Sequence, residues 1–384
     1  VSNPAPTTDP VGSKARREVD VCHIAFGGLG GQSIVVRMLA EQFDLHGLRS
    51  AVILHAQADE MIADPSQWPH LDPVVPVPRR GKIDPAAMIA VARTVRRLRP
   101  RAVLCHSHET VAAAHLGQVL GGRRPRVVLV EHQSIALRHR AEDLRSLLAL
   151  PFCRAVVLLS DDYARRYRFR RLPLRAIRRT TIIPNGIDTD LFRPHPRPAT
   201  ADFVLGRGCR LIPIKDLDTL IDAAAILVGQ PGSEQVRLRI AGDGPERAAL
   251  QTQVRRLGID DHVEFLGTLD ETEMPAFYSS LDAYVLATLG ETSSPALLEA
   301  YASALPVVAS DVDGVHDFVR DGHDGLLVPP QDAEAMADVI GRLMNDRDLG
   351  RRLGSAARRR VSVDCSARAM ADGYLALLSE LGLA

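Results

Sequence analysis

VDVCHIAFGGLGGQSIVVRMLAEQFDLH, residues 19–46, decides the class of fold. The apolar run from Val19 to Phe26 has the length and the β-branched content of a buried strand. Gly27, Gly28, Gly30 and Gly31 then make a tight turn around Leu29, and a helical pattern runs from about Gln32 to His46. Strand, glycine turn and helix open a β-α unit. A glycine-rich turn of this kind would equally suit a dinucleotide fold. The spacing is not that of a dinucleotide fingerprint: Gly28 and Gly30 fit the first two glycines, but Ser33 stands at the third.

The same alternation continues on the C-terminal side. Strand-like runs at Ala51–Leu54, Ala102–Cys105, Val127–Val130, Ala155–Leu159 and Thr181–Ile183 are separated by helical patterns such as Pro85–Leu98 and Asp143–Leu150. It pauses at Pro184–Thr200, where four prolines surround Asn185-Gly186, the chemistry of a linker. It resumes with runs at Phe203–Leu205, Arg237–Ala241, Val263–Phe265, Ala283–Leu286, Val307–Ala309 and Gly325–Val328, then turns helical from about Ala333. Repeated β-α alternation predicts doubly wound parallel sheets. The expected architecture is α/β, with two Rossmann-like domains facing across a cleft. The expected boundaries are a disordered tail at 1–18, domains at 19–190 and 200–360, and a C-terminal helix at 361–384 crossing back to the first domain.

The 384 residues suffice for two domains, and an apolar fraction of 46% gives each a core. No apolar run reaches the ~18 residues a membrane span needs. Residues 1–17 lack the apolar segment of a signal peptide and read as a disordered tail, and the odd, dispersed set of cysteines suits a reducing cytoplasm. The five cysteines show no metal-type spacing, and Cys22, Cys105 and Cys153 lie in or beside strand-like runs, as core thiols do. Net charge is zero, but residues 1–195 carry 29 Arg and Lys against 18 Asp and Glu, and the remainder reverses these numbers. Eight arginines fall between Arg165 and Arg179. They read as a solvated face; docking on an anionic membrane is the sharper alternative. No aromatic stacking motif or nucleic-acid module accompanies them, and no nucleic-acid partner is expected.

Two stretches carry chemistry. In Glu291-Thr292-Ser293-Ser294-Pro295-Ala296-Leu297-Leu298-Glu299-Ala300 two carboxylates lie eight residues apart. Ser293 and Ser294 are cap-type residues and Pro295 suits the first position of a helix. One glutamate precedes the helix and the other lies a turn inside it, so the pair can accept hydrogen bonds from two ends of a nucleotide sugar. The second stretch, Arg210-Leu211-Ile212-Pro213-Ile214-Lys215-Asp216, follows a strand and precedes a helix. The chain has three lysines against 44 arginines, so a lysine at this position is informative.

The first stretch resembles the E-x7-E signature of retaining glycosyltransferases of family 4, which have the GT-B architecture. The second resembles that family's R-L-x-P-x-K segment. Pro184-Asn185-Gly186-Ile187-Asp188, Ala241-Gly242-Asp243-Gly244-Pro245, Phe265-Leu266-Gly267 and Glu131-His132 resemble further family segments in the proper order, over roughly residues 20–345. The resemblance implies a hexose or amino-hexose transferred from a nucleotide sugar, UDP-linked, with retention of anomeric configuration. It implies Arg210, Lys215, Glu291 and His132 as catalytic residues. It implies donor contacts from Gly28, Gly30, Leu266, Ser294, Pro295, Ala296 and Glu299, with Glu291 facing the sugar and Glu299 the ribose. The sequence departs from the family at Thr292-Ser293-Ser294, where Gly-Phe-Gly is common after the first glutamate.

The family generally needs no metal and no cofactor beyond the donor; Asp311-Val312-Asp313 matches a metal-binding acidic pair by letters but lies in a turn. Acceptor contacts are expected from His106, His108, Glu109, Glu131 and residues 57–61. The Arg-rich composition and the Ser-Ser form of the signature resemble glycosyltransferases of aminoglycoside antibiotic assembly, which implies an aminocyclitol acceptor such as a 2-deoxystreptamine pseudodisaccharide. A cell-envelope enzyme with a lipid or polysaccharide acceptor is the alternative. A dinucleotide oxidoreductase would account for Gly27–Gly31 alone, and a non-catalytic sugar-binding relative for the changed centre of E-x7-E. Donor motifs in one domain and Gly27–Gly31 with His132 in the other imply closure about Pro184–Pro198.

Overall fold

The computed structural model describes residues 18–28, 30–62, 64–81, 84–132, 140–160, 164, 179–195, 202–231, 235–291 and 293–383. The basic run at 165–178, residues 133–139 and Thr292 lie outside the described residues. Two parallel sheets organise the chain. The first holds seven strands: β1 (Val21–Ala25), β2 (Ser50–Leu54), β3 (Leu71–Pro76), β4 (Ala102–Cys105), β5 (Val127–Val130), β6 (Ala155–Leu158) and β7 (Thr180–Ile182). Their spatial order is β3-β2-β1-β4-β5-β6-β7. Between them run α1 (Gly31–Leu45), α2 (Pro85–Leu98), α3 (Val111–Leu120) and α4 (Arg140–Ala149). β3 escapes the sequence reading because Pro73 and Pro76 argue against a strand. It lies at the sheet's edge, where a missing N–H is tolerated.

The second sheet holds β8 (Phe203–Gly208), β9 (Val236–Ala241), β10 (Val263–Gly267), β11 (Ala283–Leu286), β12 (Val307–Ser310) and β13 (Leu326–Val328), in the order β10-β9-β8-β11-β12-β13. Its helices are α5 (Leu217–Val228), α6 (Arg247–Leu257), α7 (Met274–Ser279), α8 (Pro295–Ala302), α9 (Ala333–Asn345) and α10 (Arg347–Asp364). Each sheet therefore runs outward from its first strand, then reverses: the order changes direction between β1 and β4 and again between β8 and β11. In such sheets ligands bind outside the carboxyl ends of the strands at these reversals. Every residue of β1, β2, β4, β5, β6, β8, β11 and β12 is buried, as expected of strands covered on both faces.

The last helix, α11 (Ala367–Leu378), leaves the second domain and packs on the first. Met370, Tyr374, Leu377 and Leu378 share a core with Val21, Phe43, Leu104 and Val128. The two crossings run side by side: Ile187 N–H donates to the Cys365 carbonyl at 2.8 Å, and Ala367 N–H to the Ile187 carbonyl at 2.9 Å. A Cβ at Gly186 would stand 3.0 Å from Ala367 Cα, so the Asn-Gly of the connection permits this close pass. Arg358 of α10 donates to the carbonyls of Thr189, Phe192 and Ala302, tying the connection to the second domain. Cys22, Cys105 and Cys153 are buried free thiols, each with its pKa pushed up by burial, Cys22 and Cys105 to about 12.

Candidate active site

Loops at the carboxyl ends of β8, β9, β10 and β11 are laced into one wall. Cys209 N–H donates to the Ala241 carbonyl at 2.9 Å, Leu211 N–H to the Asp243 carbonyl at 2.9 Å, and Gly242 N–H to the Gly267 carbonyl at 2.6 Å. The two glycines of Gly242-Asp243-Gly244 are required by space. A Cβ on Gly242, at φ +131°, would sit 1.8 Å from the Cys209 carbonyl oxygen, and one on Gly244 would sit 2.3 Å from that of Leu211. Leu289 N–H and the Thr288 hydroxyl both donate to the Ile214 carbonyl, at 2.9 and 3.0 Å, joining the loop after β8 to the loop after β11.

That junction brings Lys215 to Glu291. Lys215 Nζ lies 2.6 Å from Glu291 Oε1. Arg207, not singled out by the sequence reading, stands behind the pair: its Nη2 is 3.9 Å from the same oxygen. The Arg207 side chain is 1% exposed. Its Nη1 donates to the Tyr284 hydroxyl at 2.7 Å and its Nη2 to the Ala287 carbonyl at 3.3 Å. A strand arginine enclosed in this way is a fixed positive charge beneath the site, held by hydrogen bonds rather than by water. The signal for it was a charged residue in an otherwise apolar strand, Phe203-Val204-Leu205-Gly206-Arg207-Gly208. Arg210 is exposed on the loop above.

α8 begins as its sequence implies, with Pro295 in the first turn and Ser294 extended at the cap position. The cap itself differs from expectation: the Ser294 side chain makes no capping hydrogen bond. Ser293 instead accepts from Asn185 Nδ2 at 3.1 Å, a bond from the interdomain connection to the segment between Glu291 and Glu299. Glu299, one turn in, is 7% exposed and accepts from the Tyr278 hydroxyl at 2.7 Å. Burial raises its pKa to about 7, against the opposing pull of the Tyr278 bond. Leu266 lies in β10 and packs partly buried on the core around Tyr278.

Across the cleft, the first domain's reversal point holds a cavity of about 340 Å³. His106, His108, Glu109, Glu131 and His132 all line it, as do Gln32, His55 and Arg79, which the sequence reading did not single out. Residues 57–61, expected there, do not line it. Gln32 ties the glycine turn to the loop after β4: its Oε1 accepts from Phe26 N–H at 2.7 Å and its Nε2 donates to the His106 carbonyl at 2.9 Å. Glu109 is ion-paired with Arg79 at 3.2 Å and Arg145 at 3.7 Å, and buried Glu131 accepts from the Ser146 hydroxyl at 2.9 Å. Burial lowers the pKa of His132 to about 4, so its ring is neutral near pH 7.

The glycine turn meets the start of α8 directly. Gly30, at φ +151°, opens onto free space, and a Cβ on Gly31 would stand 2.7 Å from Pro295 Cγ. On Gly28 a Cβ would meet the Phe26 ring at 2.5 Å and the Glu60 carbonyl at 2.9 Å. Arg37 of α1 pairs with Glu271 of the second domain. The two domains thus touch in this structure at Gly31 and Pro295 and at Arg37 and Glu271. Among the described residues no three His, Cys, Asp or Glu side chains cluster as a metal site requires, and no helix is long and apolar enough to cross a membrane.

Comparison with known proteins gives two consecutive family matches: residues 29–191 to "Glycosyltransferase Family 4" and residues 203–346 to "Glycosyl transferases group 1". An exopolysaccharide phosphotransferase of Streptomyces coelicolor is 35% identical over 257 residues, 65% of this chain and 26% of that protein. A phosphatidyl-myo-inositol mannosyltransferase of Mycobacterium leprae is 28% identical over 88% of this chain and 89% of its own. An α-D-kanosaminyltransferase of Streptomyces kanamyceticus is 31% identical over 45% of each chain. The chain spans about a quarter to a half of the length of the first three curated relatives it matches. In fold it is similar to Anabaena HepE, solved with UDP and glucose, at a TM-score of 0.79 and 20% identity over 94% of this chain and 100% of that one.

Proposed function

Since the chain belongs to the family 4 glycosyltransferases of GT-B type, we propose that it is a retaining hexosyltransferase using a UDP-linked sugar, with the cleft between the two reversal points as its active site. The observation that carries this reading is the Lys215–Glu291 contact of 2.6 Å over buried Arg207, at the reversal between β8 and β11. In the proposed reaction the acceptor hydroxyl oxygen bonds to the anomeric carbon on the face that the diphosphate leaves. The carbon–oxygen bond to phosphate breaks, and the leaving phosphate oxygen takes the hydroxyl proton. Negative charge grows on the diphosphate, so Arg210 and Lys215 stabilise the transition state more than the ground state. Glu291 orients Lys215 and faces the sugar; Glu299 and Tyr278 form the ribose end. No metal ion is needed, because two cations and the start of α8 supply the charge.

We propose an aminocyclitol acceptor, with a hexose or amino-hexose as the transferred group; the kanosaminyltransferase relative supports the transferred group by its name. One observation favours a second reading, a neutral polyol such as an inositol or a polysaccharide end. The carboxylates that would hold ammonium groups are already engaged, Glu109 by Arg79 and Arg145, and Glu131 by Ser146. The test is release of nucleoside diphosphate from a panel of nucleotide sugars, with and without acceptors and chelator. The reading expects slow UDP release that an acceptor accelerates and a chelator leaves intact. No release from any nucleotide sugar would refute it, and activity restored only by Mg²⁺ or Mn²⁺ would refute metal independence.

A further inference from the structure

Three histidine rings form a continuous chain from the core of the first domain to its cavity. The register explains how. His23 of β1 lies level with Leu104 of β4, and Cys105 with Leu129 of β5. His106 is two residues beyond Leu104, hence on the same face of the sheet, and His132 is two beyond Val130. The diagonal therefore steps across three neighbouring strands toward their carboxyl ends. His23 Nδ1 is 3.3 Å from His106 Nε2, and His106 Nδ1 is 2.9 Å from His132 Nε2. Successive rings lie edge to edge in nearly parallel planes, 18° and 25° apart, with centroids separated by 5.6 and 5.2 Å.

Each of the two nitrogen–nitrogen bonds needs one proton, and burial keeps all three rings neutral near pH 7. Only two arrangements fill both bonds. In one, His23 Nδ1–H donates to His106, His106 Nδ1–H donates to His132, and His132 carries its remaining proton on Nδ1. In the other every proton points inward, and the chain ends in an N–H at His23 Nε2. That nitrogen is buried with no hydrogen-bond partner among the described residues. A bare N–H there is the costlier ending, just as orphaned buried N–H groups are rarer than under-satisfied acceptors. A metal bridge is not an alternative, because His106 turns opposite nitrogens to its two neighbours and no point lies within reach of all three rings.

We infer that His23 and His106 are positioning residues that lock His132 as its Nδ1–H tautomer. His132 then presents a hydrogen-bond donor to a hydroxyl oxygen of a sugar bound in the cleft, and cannot act as a general base through that nitrogen. The sugar contact rests on the proposed function; the tautomer does not. The fixed donor also gives Gln32 a purpose, since it anchors the His106 backbone to the glycine turn.

The test is nitrogen-15 NMR of the full chain with labelled histidine at neutral pH, His132 being assigned by the signal lost in His132→Gln. The expected spectrum has a protonated Nδ1 and an unprotonated Nε2 at His132; the reverse pattern, or an average of the two, would overturn the inference. His23→Leu removes the first donor and should give a mixed His132 tautomer, with KM for UDP-glucose raised roughly three- to tenfold. His23→Asn places an amide N–H near the lost Nδ1–H and should restore both the tautomer and KM. A purely structural role for His23 would leave the His132 pattern unchanged in the Leu variant, and that result refutes the relay. If His23→Leu does not fold, the wild-type spectrum alone decides. Failure of the wild-type protein to bind any nucleotide sugar would refute the functional reading and the sugar contact, while the tautomer is read without ligand.

Discussion

Replacing Glu299 by Gln tests the donor site through an energy that the structure fixes. The Glu299 carboxyl is 7% exposed, and burial raises its pKa from 4.5 to about 7. Between these values the folded protein holds a proton that the unfolded chain has lost, so stability falls as pH rises through that window. A difference of about 2.5 pH units corresponds to roughly 3 kcal/mol. Gln has nearly the same shape, its carbonyl can still accept from the Tyr278 hydroxyl, and it carries no charge to desolvate. Without ligand, the Gln variant should therefore gain stability over the wild type by roughly 2–3 kcal/mol on going from pH 5 to pH 8. For a domain of this size that is about 5–10 °C in Tm, readable by scanning calorimetry. Other titrating groups act on both proteins alike and drop out of the comparison. Ribose hydroxyls donate to a carboxylate more strongly than to an amide, so UDP affinity at pH 8 should fall in the variant by about tenfold or more. The wild-type advantage should shrink toward pH 5, as Glu299 takes up its proton. An equal Tm difference at pH 5 and pH 8, or UDP affinity unchanged by the substitution at pH 8, would refute the argument.

Lys215→Ala and Arg210→Ala should each lower turnover by about a hundredfold or more while the fold survives, as loss of a charge that stabilises a departing diphosphate does. Near-normal turnover in the folded variants would remove both from the mechanism. Gly242→Ala should lower Tm by about 5 °C or more, because its Cβ has no room beside the Cys209 carbonyl and its φ of +131° disfavours any side chain. Gly81→Ala is the control, since a Cβ at Gly81 meets nothing within 4 Å. Equal melting of the two variants would mean that the loop carrying Lys215 is not braced as described.

The alternation of strands and helices and the division into two Rossmann-like halves were legible in the sequence by itself, whereas the strand order, and with it both reversal points, came from the structure. Hydrophobic periodicity is a local property, and strand and helix periods differ enough to be separated by counting. The turn Gly27–Gly31, the Lys215 segment and Glu291–Glu299 could be placed at strand ends for the same reason. β3 was not legible, since its prolines are acceptable only because the strand happens to lie at an edge. Arg207 stands out in the sequence only as a charge in an apolar run; its burial was not legible, because the convergence of Tyr284, Ala287 and Glu291 around it is what makes the position tolerable. The histidine chain needed register across three strands, separated in sequence by as many as 83 residues between His23 and His106. Glu299 could be placed on its helix, but not its raised pKa, which comes from burial behind Tyr278. Sequence determines what each segment can form. Which charges lose their water, and which partners replace it, is decided only when distant segments pack together.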